Sequence, residues 1–213
     1  MLSIILFIHV LSGFLALGFG LLAIVSKKGR KTHVLTGRFF FYLMLSVAVT
    51  AVIVSLYKLN LFLLLVAGFA FYQNVSGYRS VKNKGMRPNW IDWSATLIGL
   101  VTGVVMISTL DIVLIVFGSI SLFLVMTDFR LYYGVFKGKQ LSPLVWLSRH
   151  LGMMMGTYIA TVTAFVLVNI RDVEPAWIPW LAPTVLGVPL MRYWDWKYTK
   201  SKQPKPITQK ENR

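Results

Sequence analysis

The sequence predicts an all-α, polytopic transmembrane helix bundle, and three observations carry that expectation. The 213-residue chain is 56% hydrophobic and only 14% charged, with a mean hydropathy of +0.68. A soluble domain carries about 25% charged residues. Apolar stretches of roughly 20 residues, the length that crosses a hydrocarbon core as helix, alternate with short charged joints. Finally, all 22 lysines and arginines except Lys58 and Arg171 fall at or beside alternate joints. Basic residues concentrate on the cytoplasmic side of membrane proteins. The expected topology is therefore seven spans, with the N-terminus outside and the C-terminus cytoplasmic. An odd number of spans is what brings the basic tail to the side of the other basic joints.

The spans are expected at residues 4–25, 35–57, 61–78, 90–108, 112–127, 149–168 and 175–194. The first contains no formal charge and is followed, not preceded, by its basic cluster of Lys27, Lys28, Arg30 and Lys31, so it reads as a retained span and not a signal peptide. His9, Gly13, Ala16 and Gly20 recur on one of its faces, and small residues there admit a neighbouring helix. The third turns polar at Gln73, Asn74 and Ser76. Pro88 and Asn89 open the fourth, with Asp92 in its first turn. Asp111 marks the next outer joint, and the stretch 131–148 extends the fifth span and then lies at the interface. Gly152 and Gly156 in the sixth form a G-x-x-x-G pair that favours helix contact. The last segment holds Pro175, Pro179, Pro183 and Pro189 between interfacial tryptophans and reads as a kinked span, with a surface-lying segment as the alternative. Residues 1–196 thus form the transmembrane domain, and 197–213 a basic cytoplasmic tail expected to be disordered.

Several chemistries are excluded. The chain has no cysteine, which removes disulfides, thiolate catalysis and cysteine-ligated clusters. No G-x-x-x-x-G-K-[ST] loop, no G-x-G-x-x-G opening after a strand and no G-x-S-x-G elbow occurs. The net charge of +15 sits in the joints, so it points to anionic lipid on the cytoplasmic side and not to nucleic acid.

Ionisable residues inside a membrane mark function by default. His33 and His150 each open an inward-ended span. With Asp92 they offer a ligand set for a divalent metal such as Zn²⁺ or Fe²⁺. The two histidines alone could ligate haem b. Interfacial hydrogen bonding is the plainer reading of the same residues. His9 lies near the opposite face, so one ion cannot join it to His33. Gln73, Asn74, Tyr78, Asp128, Arg130, Tyr132 and Arg149 complete a polar set near the inner face. Arg149 and Arg130 could pair with Asp92 and Asp128, or an unpaired carboxylate could serve a small proton-coupled transporter. A non-catalytic component that binds lipid, a membrane partner or a second copy of itself is the third class.

At His9, Gly13, Leu17, Gly20, the KKGRKTH turn with Gly29 and His33, and Gly37–Arg38, the chain resembles the DUF2306-like family of predicted bacterial membrane proteins. His150 and Met154 stand where that pattern has its late histidine and methionine-bearing helix. The resemblance implies a bacterial inner-membrane protein in which His9, His33 and His150 share a purpose, and it names no activity.

Overall fold

The computed structural model describes residues 2–170 and 173–200. Seven α-helices follow one another: α1 Leu2–Val25, α2 Lys31–Tyr57, α3 Leu61–Lys82, α4 Trp90–Ser108, α5 Ile112–Phe136, α6 Val145–Asn169 and α7 Ile178–Asp195. The chain is thus an all-α helix bundle. The first six helices are long and apolar enough to cross a membrane. A π-turn, Trp196–Lys200, continues α7. The start of the expected disordered tail is therefore helical, and residues 201–213 lie outside the described residues, as does the Arg171–Asp172 joint.

Helix ends are set by local chemistry. Asn60 caps α3 by accepting from the Leu63 amide at 3.0 Å. Asn89 and Asp92 form a reciprocal capping box on α4. Asp111 Oδ1 accepts from the amides of Val113 and Leu114 at 2.9 and 3.0 Å to start α5. Between α1 and α2 the chain reverses through Gly29 at φ +78°, a left-handed conformation that glycine adopts without steric cost.

Helix α3 is the centre of the bundle. It packs on α2, α4 and α6 and touches α5, while α1 lies on α2, α5 on α4 and α7 on α6. Its residues are accordingly buried over most of its inner two-thirds, from Leu65 to Ser80. Helix α1 is the reverse case. Only Ser12, Ala16, Gly20 and Ala23 are buried, a stripe one residue wide, and Phe7, Phe14 and Leu21 face outward. Apolar exposure on this scale marks a surface that meets lipid.

Tight packing rests on glycine where two helices cross. A Cβ on Gly118 of α5 would stand 2.9 Å from the Gly103 carbonyl oxygen of α4, and one on Gly99 of α4 would meet the Tyr72 ring at 2.6 Å. Helix α7 is 18 residues long with Pro183 and Pro189 inside it. It runs along α6 from one end of the bundle to the other. Trp180 packs on Phe62, at the start of α3, with ring centroids 4.7 Å apart. At the opposite end Lys28 Nζ lies 5.4 Å from the Trp194 ring.

Replacing Gly118 with Leu forces α4 and α5 apart, at a cost of about 1–3 kcal/mol. The thermal unfolding midpoint in mild detergent is expected to fall by about 5 °C. Gly18→Leu is the control, since nothing lies within 4 Å of a Cβ there, and it is expected to leave the midpoint unchanged.

Candidate functional site

Two polar nodes and a histidine pair gather at the end of the bundle that holds the α1–α2 joint. The deeper node is built on Asp128 of α5, which is fully buried. Its Oδ2 accepts from Tyr72 Oη of α3 at 2.8 Å, Thr96 Oγ1 of α4 at 3.2 Å and Arg149 Nη2 of α6 at 2.8 Å. Arg149 Nη1 stands 2.7 Å from Oδ1, so the guanidinium faces both carboxylate oxygens. Arg149 Nη2 also reaches Tyr132 Oη at 3.4 Å. Four helices meet on one carboxylate.

The second node joins α3 to α4. Arg79 donates through Nε to Asp92 Oδ1 at 2.9 Å and through Nη2 to Oδ2 at 2.7 Å, a bidentate pair of the stronger kind. The Asn89 amide and Asn83 Nδ2 add to the same carboxylate. Asp92 is thus committed to Arg79 and to its capping box, and it does not join the histidines. Among the described residues no three His, Asp or Glu side chains come together as a metal site, so the expected His33–Asp92–His150 triad reduces to its two imidazoles.

Those two do meet. The rings of His33 and His150 lie 6.4 Å apart, centroid to centroid, with planes at 87°. His33 Nδ1 is 2.9 Å from the Ala23 carbonyl oxygen of α1. His150 Nδ1 is 3.0 Å from the Gly77 carbonyl oxygen of α3. A carbonyl only accepts, so each Nδ1 carries the hydrogen and each neutral ring keeps its lone pair on Nε2. This is the arrangement found behind metal-bound histidines. Lys28 Nζ donates to the same Ala23 carbonyl at 3.2 Å, and to that of Ile24. Its ammonium closes the last turn of α1, and burial pushes its pKa below the usual lysine value.

The other expected residues divide. His9 Nδ1 is 3.0 Å from Thr50 Oγ1, whose own hydrogen goes to the Ser46 or Val47 carbonyl. His9 therefore donates from Nδ1 as well, but it sits about 21 Å along α1 from Ala23 and belongs to the other end. Asn74 donates to the Phe41 carbonyl at 3.0 Å. Gln73 is 2% exposed and lies against Gly156, where an added Cβ would overlap its Oε1. Arg130 is exposed on the outside of α5 and takes no part in the node on Asp128, two residues earlier in the chain.

The sequence reading missed Tyr72 and Thr96 and placed Arg79 in a basic loop, whereas Tyr132 belonged to the expected polar set. The spacing of Tyr72, Ser76 and Arg79 at four and three carried the signal for one polar face of α3. Assigning Arg79 to a loop hid it. Among protein-family models, curated proteins and solved structures, none matches this chain.

Arg149→Met strands a buried carboxylate and is expected to cost about 3–5 kcal/mol, read as a large loss of thermal stability in detergent. Adding Asp128→Asn to that variant is expected to restore most of the loss.

Proposed function

We propose that this integral membrane protein carries a two-histidine redox centre at its basic end, with haem b as the group held by His33 and His150. The single observation that carries the reading is the paired imidazoles, each fixed through Nδ1 by a backbone carbonyl and each with a free Nε2. The ring centroids are 6.4 Å apart, so His33 and His150 would be the residues to hold one bound group.

Two further features favour haem over a bare divalent ion. Lys28 shares His33's carbonyl, and an ammonium there opposes a naked dication but suits a propionate. Gly37 lies one turn from His33 and Gly152 two residues from His150. An added Cβ at either meets nothing within 4 Å, so the helix surface beside each histidine is uncrowded. Haem held this way supplies one-electron chemistry. The protein's own part is to fix the tautomer and direction of each imidazole and to surround them with low-dielectric packing. Proton-coupled transport through Asp92 or Asp128 is less favoured, because each carboxylate is engaged by an arginine.

The same reading has seven spans, an outer N-terminus and a cytoplasmic C-terminus in a bacterial inner membrane, with anionic lipid against the basic joints. The resemblance to DUF2306-like proteins at His9, Gly29, His33 and Gly37–Arg38 belongs to this proposal. So does association with a second copy or a membrane partner.

Protein purified in mild detergent is expected to show a Soret band that shifts on dithionite reduction and disappears in His33→Ala and in His150→Ala. A colourless preparation from cells supplied with iron contradicts haem, and bound metal without colour redirects the site to a bare ion. Orientation is checked separately, because the chain has no cysteine. Lys84→Cys is expected to react with a membrane-impermeant maleimide only after the cells are broken, and Lys58→Cys in intact spheroplasts.

A further inference from the structure

Behind the histidine pair, toward the opposite end, the bundle holds a partly open cavity of about 590 Å³ bounded by α1, α2, α3, α5, α6 and α7. That is within the range of small-molecule sites, roughly 300–1,000 Å³. Its walls are apolar almost throughout. Its polar residues include His9, bonded to Thr50 near the outer end, and, at mid-depth, Gln73, which is 2% exposed and has no hydrogen-bond partner among the described residues. A primary amide left unpaired in hydrocarbon is costly, since no water is there to receive it. Gln73 Oε1 packs directly on Gly156, and any side chain there would overlap the amide oxygen. The glycine keeps open the space in which the amide stands.

Depth narrows the occupant. Gln73 is 12 residues from the start of α3, about 18 Å, and nine from its end, about 14 Å. A phospholipid head group is charged and stays at the interface, and an acyl chain offers nothing to an amide. The occupant must carry a neutral hydrogen-bonding head on a hydrocarbon tail. The amide both donates and accepts, so it serves a ring carbonyl and a ring hydroxyl equally. Exposed Val10, Phe14 and Val168 form part of the cavity wall, so a tail can leave sideways into lipid.

We propose that this cavity binds one isoprenoid quinone, in its quinone or quinol form, with the ring oxygen on Gln73. The head group would lie one helical turn, about 6 Å along α3, from Gly77, whose carbonyl holds His150. The site stands on the cavity and on Gln73, and it does not require that the histidines bind anything.

The test titrates detergent-purified protein with a decyl-chain benzoquinone while tryptophan fluorescence is followed, Trp180 being part of the cavity wall. Saturable quenching is expected. Gln73→Leu is expected to weaken it about ten-fold, and Ala160→Phe, which fills the cavity, to abolish it. The His33→Ala, His150→Ala double variant is expected to bind the quinone with unchanged affinity, so failure of the redox reading leaves this result standing. Gln73→Leu without quinone is expected to unfold at the same or a higher temperature, because it removes an unpaired polar group. Absence of saturable quenching, equal affinity in both cavity variants, or a destabilised Gln73→Leu protein would overturn the proposal.

Discussion

The ion pair between Arg149 and Asp128 decides how α6 sits, and the rest of the site depends on that. Neighbouring residues on a helix point about 100° apart. With Arg149 drawn to a fully buried carboxylate on α5, His150 is turned toward α3, where the Gly77 carbonyl receives it. His33 reaches the same place by a different route. The reversal through Gly29 and the closing of α1 by Lys28 bring the first turn of α2 over the Ala23 carbonyl. A histidine pair from distant parts of the chain is thus assembled by one buried salt bridge and one tight turn.

Hydrocarbon sharpens the meaning of each polar contact. Groups that find partners inside the bundle lock helices together, as Tyr72, Thr96 and Arg149 do around Asp128 and as Arg79 does with Asp92. These are structural attachments with little capacity to spare. What remains after they are counted is informative. His33 and His150 each use one ring nitrogen on the backbone and keep the other free. Gln73 uses none of its amide among the described residues. Gln73 lies about one helical turn along α3 from Gly77, whose carbonyl holds His150, while Asn74 Oδ1 beside it and His9 Nε2 at the other end of the bundle also keep unused capacity. The proposed redox centre and the proposed quinone site would form a coherent pair of functions, though each rests on its own observation.

Much of the fold was legible because the membrane reduces the problem to apolar length and charge. Helix α4 begins and ends at Trp90 and Ser108 as its flanking Asn89 and Asp111 joints imply. Helix α2 starts four residues earlier than apolarity suggests, at Lys31, because lysine and arginine at a span end can extend their charge to the interface. Helices α3 and α6 run past their apolar limits for another reason. Arg79 and Arg149 find carboxylates inside the bundle, so their turns are held as helix. That aspartates would pair with arginines was readable. Which arginine was not, because the choice of Arg79 over Arg130 is made by helix rotation, and rotation is set by contacts distant in sequence. The same limit applied to Asp92, which shares a depth with the histidines but faces α3. The small face of α1 was half right in meaning. Ala16 and Gly20 pack closely on Phe40 and Tyr158, whereas His9 and Gly13 border the cavity.

The measurement that bears most directly on the central claim is low-temperature electron paramagnetic resonance of the oxidised, purified protein. If His33 and His150 hold one ferric haem, their crossed ring planes would give a strongly anisotropic low-spin signal, distinct from that of parallel rings. That signal, lost in His33→Ala and in His150→Ala, is the result this account predicts. A high-spin ferric signal, or a low-spin signal that survives both substitutions, would contradict it.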